Sequence, residues 1–147
     1  MKMFVFALTL VASVFTKSTF ANDGGAITPE VLKSFESTFA AAKDADWSVT
    51  ENLYKVQFAL NEQHITAFYQ KDGTMAAVTR NINPLQLPVS LQTALKNEYK
   101  SYWIAELFEL SNDEGVQYYV TLEDADNKTV LKSSGTSWNF YQKQRKD

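Results

Sequence analysis

The spacing of apolar residues switches between two periods, and it does so twice along the chain. Val31, Phe35, Phe39 and Ala42 recur at helical spacing, whereas from Trp47 onward apolar residues alternate with polar ones. Pro84 and Pro88 interrupt that alternation. Leu91, Ala94, Leu95 and Tyr99 then restore the helical period, and alternation resumes near Tyr102. A helix stripe needs neighbours three and four residues apart, while a half-buried strand needs every second residue. The order helix, strands, helix, strands therefore predicts an α+β fold with an antiparallel sheet.

Local signals set the expected boundaries. Thr28-Pro29-Glu30 reads as a helix start, with Thr28 as cap, Pro29 at the first helical position and Glu30 at the positive end of the dipole. This helix is expected to run to about Lys43. Strands follow at 47–49, 53–60, 64–70 and 74–82, the last two joined by a hairpin at Asp72-Gly73, a pair suited to tight-turn geometry. The second helix is expected over 89–100, with strands at 102–110, 116–123, 129–133 and 136–141 and a frayed, charged tail over 142–147. Each half thus holds one helix and about four antiparallel strands. Pro29-Glu30-Val31-Leu32 is echoed by Pro88-Val89-Ser90-Leu91, and Leu53–Phe58 by Gln117–Leu122. Two tandem repeats, about 28–82 and 88–141, are expected to share one continuous antiparallel sheet with both helices on one face, because a half of this size cannot complete a core alone.

Met1–Ala21 reads as a secretory signal peptide: Lys2, then an uncharged apolar run from Met3 to Phe15, then small Thr19 and Ala21 before the cleavage point. Cleavage would leave a single domain over 22–147. It would remove Lys2 and Lys17 and no acid, taking the net charge from −3 to −5. The expected location is the periplasm or the exterior, with no membrane span after cleavage. No Cys is present, which excludes disulfides, thiolate metal sites, Cys nucleophiles and a lipid-modified N-terminal Cys. Negative charge argues against nucleic acid as a partner.

The residues Ala45-Asp46-Trp47, Leu53-Tyr54-Lys55-Val56-Gln57-Phe58, Phe68-Tyr69-Gln70-Lys71-Asp72-Gly73 and Leu87-Pro88, in that order and spacing, resemble the exported PepSY-like proteins of Bacteroidetes-type bacteria. These are also similar in fold to beta-lactamase inhibitor protein (BLIP-like). The resemblance covers about Thr28 to Tyr141 and implies the two-repeat α+β fold. It departs at the last turn, where Ser133-Ser134-Gly135-Thr136 stands in place of an acidic-Gly hairpin. It implies no activity, since fold alone does not carry function.

No catalytic constellation emerges. His64 is the only imidazole, no Gly-x-Ser-x-Gly elbow accompanies it, and its place in an alternating strand reads as structural. Glu123-Asp124-Ala125-Asp126-Asn127 concentrates oxygens but lacks the Gly and distant Glu of a calcium loop, and reads as a hairpin turn. No cofactor, metal or catalytic residue is assigned. The remaining signal is aromatic. Strand parity puts Tyr54, Val56, Phe58, Tyr118, Val120 and Leu122 toward the helices, and Phe68 and Tyr119 on the open face of the sheet. Trp103 and Trp138 have no parity set by the pattern. Tyr119, Phe68, Trp103 and Trp138 are thus the candidate partner-binding residues. The function expected is a non-enzymatic exported module that engages another exported or cell-envelope protein. A peptide- or glycan-binding module using exposed Tyr or Trp is the alternative, and a hydrolase of unknown type a third class.

Overall fold

The computed structural model describes residues 27–50 and 52–147. The signal-peptide reading and the start of the predicted domain at residue 22 lie outside these residues. Among the described residues no helix is long and apolar enough to cross a membrane.

Eight strands form one sheet in the order β1-β2-β3-β4-β5-β6-β7-β8, each antiparallel to its neighbours. Helix α1 (Pro29–Thr38) precedes β1 (Lys43–Val49), β2 (Tyr54–Leu60), β3 (Gln63–Tyr69) and β4 (Met75–Asn81). A 3-10 turn, η1 (Pro84–Gln86), and helix α2 (Val89–Glu98) then lead to β5 (Trp103–Asn112), β6 (Gly115–Glu123), β7 (Asn127–Ser133) and β8 (Asn139–Arg145). The sheet continuity and the α+β class agree with the sequence pattern.

Register explains why both helices share a face. Val56 pairs with Ala67, Ala67 with Val78, Val78 with Ser111, and Leu107 of that same β5 face pairs with Val120 and onward to Leu131. Val31 and Phe35 of α1 pack on Tyr54, Val56, Phe58, Ile65, Ala67 and Tyr69. Leu91 and Leu95 of α2 pack on Leu107, Val120, Leu122 and Leu131. The two apolar clusters are separate. Between them, at the β4–β5 pairing, Arg80 faces Glu109, with Nε to Oε1 at 3.0 Å and Nη2 to Oε2 at 3.2 Å. The bidentate geometry matches a guanidinium fork to a carboxylate.

Two boundaries differ from expectation. α1 stops at Thr38 rather than near Lys43, because Lys43 already pairs with Ala59 as the start of β1 and Asp44 takes a positive φ of 56° at the bulge. A strand partner outweighs the helix preference of the alanine run. The last strand is β8 at Asn139–Arg145, so the stretch expected to fray forms sheet edge. The chain before it is held elsewhere: the Trp138 indole N–H donates to the Leu91 carbonyl at 3.1 Å.

The Asp72-Gly73 hairpin is tied to the start of α1. Thr28 caps the helix by accepting from the Val31 N–H, and its hydroxyl donates to the Lys71 carbonyl at 2.9 Å. Gly73 has φ +91°, and a Cβ there would lie 2.9 Å from the Glu30 carbonyl oxygen. Gly135, at φ +123°, has open space around it. Gly73→Ala is therefore expected to cost about 1–3 kcal/mol, and more than Gly135→Ala, in urea unfolding followed by circular dichroism. Equal losses at the two glycines would remove the close approach to Glu30 as a contributor.

Candidate functional site on the open sheet face

The side of the sheet opposite the helices carries its own buried cluster. Phe108, Leu110, Tyr119 and Val130 are buried there, with Tyr141 packed against them. The register row Asn81–Phe108–Tyr119–Lys132–Asn139 runs across this face. The Phe108 and Tyr119 rings are stacked, 5.0 Å between centroids at 10°. Tyr141 meets Tyr119 edge-on at 5.6 Å and 85°, and the Lys132 ammonium lies 5.2 Å above the Tyr141 ring. Offset stacks and edge contacts satisfy the ring quadrupoles, and the cation sits on a negative π-face.

The four residues singled out from the sequence divide. Tyr119 is on the open face, as parity requires, yet only 6% exposed. The expectation of an outward-presented ring is corrected: Phe108 and Tyr141 cover it. Burial also pushes its phenol upward in pKa, with Tyr141 adding to the effect, and its hydroxyl donates to Gln117 Oε1 at 3.1 Å. Phe68 lies half-buried between Lys55 and Ala77 on the same face, outside the aromatic cluster. Trp103 is 52% exposed, and pairing with Glu123 puts it on the open face at the start of β5. Trp138 is on the helix side, packed against the α2 cluster. Its parity, which the pattern left unset, is thus on the helix side, where the ring is partly buried beside Leu91.

Phe108 and Tyr141 were missed. Phe108 could have been found by parity, since it neighbours core-facing Leu107. Tyr141 could not. β8 has an extra residue between Phe140, opposite Leu131, and Gln142, opposite Val130. That bulge brings Tyr141 onto Tyr119, and alternation does not reveal bulges.

Trp103 sits in a second arrangement at the end of this face. Its indole N–H donates to Glu123 Oε2 at 3.0 Å, and the Lys146 ammonium lies 4.6 Å from its ring centroid. Lys146 and Lys128 both pair with Glu123, at 3.0 and 3.2 Å, and the Lys146 backbone N–H donates to the Asp126 carbonyl at 2.7 Å. The hydrogen bond from Lys146, with those from Lys128 and Trp103, lowers the Glu123 pKa. The adjoining acidic turn is self-satisfied: Asp124 Oδ1 accepts from the backbone N–H groups of Asp126 and Asn127, which lowers the Asp124 pKa. His64 is exposed on β3, and among the described residues no group of three or more His, Asp or Glu side chains converges to hold a metal ion.

Around the aromatics the face is polar and carries charges of both signs, among them Lys55, Glu106, Glu123, Lys128 and Lys132. Gln57, Thr66, Thr79, Leu110 and Gln117 form one continuous register row that is uncharged until it reaches Asp46 of β1. The arrangement offers apolar ring edges, amide and hydroxyl groups along an uncharged row, and ions of both signs around them.

Two outcomes follow. Tyr119→Ala is expected to lower folding stability by about 2–4 kcal/mol, as truncation of a buried ring does, and a near-wild-type urea midpoint would contradict its burial. A folded-state pKa of Glu123 below its unfolded value means that its contribution is present above the unfolded pKa. That contribution is lost as pH falls through the folded value. The Trp103 indole N–H resonance should therefore hold its position down through the ordinary carboxylate range and shift only in more acid solution. Glu123→Gln should abolish that transition.

The fold is shared with solved structures. A DUF2874 family protein from Bacteroides uniformis superposes with a TM-score of 0.71 at 13% identity, over 80% of this chain and 88% of the other. A BLIP-like protein from Bacteroides fragilis gives 0.68 at 15% identity, over 84% and 92%. A candidate periplasmic protein from Bacteroides eggerthii gives 0.71 at 12% identity, over 81% and 88%. At such identities the likeness is one of fold. No family model matches the chain, and no curated protein matches it.

Proposed function

We propose that the protein is an exported, non-enzymatic binding module that engages another exported or cell-envelope protein through the open face of its sheet. The observation that carries this reading is an eight-stranded sheet with helices on one side only and, on the other, an aromatic cluster beside an uncharged central row, with charged side chains such as Lys55, Glu106, Glu123, Lys128 and Lys132 around them. Interface cores are depleted of charge and enriched in aromatic residues. Phe108, Tyr119 and Tyr141 would form a rigid platform beneath the partner, with Phe68 and Trp103 toward its margins. The BLIP-like neighbour supports an inhibitor- or regulator-like role by analogy of fold. The apolar Met3–Phe15 run and the candidate periplasmic neighbour support a location in the periplasm or outside the cell.

The same reading takes the chain as two PepSY-like repeats, each of one helix and four strands, fused through β4 and β5. The matching element order of the halves supports it. The amides and hydroxyls of Gln57, Thr66, Thr79 and Gln117 on this face also favour a glycan or peptide as a second class of ligand, stacked on exposed aromatic edges.

Thr79 lies on the open face between Thr66 and Leu110. A Thr79→Arg/Phe68→Ala variant is expected to keep the fold and lose the protein that wild type recovers from periplasmic extract. Recovery by wild type should survive about 0.5 M salt, since screening affects charged contacts most. Identical recovery by the variant would reject the open face as the interface. A tryptophan fluorescence response to oligosaccharides, with no protein recovered, would move the reading to the second class.

A further inference from the structure

A second surface lies on the helix side, at the junction of η1, α2 and the start of β5. A slot of about 170 Å³ opens there between Leu85, Leu95, Tyr99, Tyr102, Ile104 and Leu122. Its walls are held in place. Gln92 of α2 donates from one amide nitrogen to the carbonyls of Leu85 and Leu87, at 3.2 and 2.8 Å, which fixes η1 against the helix. Tyr99 and Tyr102 meet at 6.1 Å and 60°, and the Tyr102 N–H donates to the Tyr99 carbonyl. The floor is core, since Leu95 and Leu122 are buried. The outer wall is apolar and wet, Leu85 being 79% exposed.

The charge on this slot has one sign. Lys96 and Lys100 line it and no acid does. Neither lysine is in an ion pair among the described residues. An apolar cavity of ~150 Å³ can hold a benzene-sized molecule, so the slot has room for a single small ring or an alkyl chain of comparable volume. Small-molecule sites join an apolar lining to a few polar groups that orient the ligand, and here those groups are two ammonium ions at the rim.

We propose that this slot binds a small monoanionic amphiphile, an aryl or medium-chain carboxylate, with its apolar part on Leu95, Leu122 and Ile104 and its carboxylate between Lys96 and Lys100. The occupant follows from size and charge together: the volume matches one small ring or a chain of comparable size, and the paired lysines select an anion. The site is independent of the open face, because Leu122 and Leu95 belong to the helix-side core.

The test uses phenylacetate and octanoate as probes, with benzyl alcohol and octylammonium as neutral and cationic counterparts, in amide NMR titrations of the full-length protein. The carboxylates are expected to shift resonances of Leu85, Gln92, Leu95, Tyr99 and Ile104 saturably, and Lys96→Glu/Lys100→Glu to weaken them about tenfold or more. Both lysines are exposed, and unchanged amide spectra elsewhere would verify that the variant folds. Four results would overturn the proposal: equal binding of benzyl alcohol or octylammonium, no loss in the double variant, shifts confined to the open face, or slot shifts that depend on protein concentration alone.

Discussion

The pairing of β4 with β5 is the constraint on which the rest depends. Val78–Ser111, Thr79–Leu110, Arg80–Glu109 and Asn81–Phe108 pair across the two halves, and the Ile82 N–H donates to the Leu107 carbonyl at 3.1 Å. On the helix side the row Phe58–Ile65–Arg80–Glu109–Tyr118–Ser133 passes from apolar through ionic to half-polar ground. The sheet is continuous while the core is not: α1 and α2 each cover their own half, and an ion pair occupies the seam between them. Joining the halves also removes two sheet edges, which otherwise invite association with other chains. The two edges left, β1 and β8, are bulged and carry charged residues.

A sheet this broad with helices on one side leaves its other side to be stabilised from within. The Phe108–Tyr119–Tyr141 group does that in the second half, where rings lie on rings in place of a covering helix. The face consequently has two kinds of residue. Tyr119 holds the sheet together and contributes to recognition only through the platform it supports. Phe68 and Trp103 are reachable, but one face of the Trp103 ring is already engaged by Lys146. The C-terminal strand is thus part of the candidate site, because it brings both Tyr141 and Lys146.

What could be read in advance followed from local periodicity. The two helix stripes, the strand alternation, the Asp72-Gly73 hairpin and the side of the sheet that Tyr54, Phe58, Phe68, Tyr118 and Tyr119 occupy all depend on residues near one another in sequence. Burial on that side does not. Tyr119 is covered by Phe108 from β5 and by Tyr141 from a bulge in β8, so its exposure depends on strands whose registers the alternation leaves undetermined. The end of α1 failed for a related reason: Ala40–Ala42 favour helix, but Lys43 is claimed by Ala59 of β2. The tail was misread because charge normally marks a solvated end, whereas here the Lys146 side chain has Glu123 and Trp103 to hold it.

β5 links the two proposed surfaces. It presents Ile104 to the helix-side slot and Trp103 and Phe108 to the open face, with a register shift between Ile104 and Glu106. A substitution within β5 therefore disturbs both surfaces through one backbone and cannot separate them. Thr79 in β4 and Lys96 in α2 do not share that problem. Thr79 is on the open face, away from the slot, and Lys96 is on the helix layer, away from the open face. The parity of the sheet, which first sorted the aromatics, is also what makes the two surfaces experimentally separable.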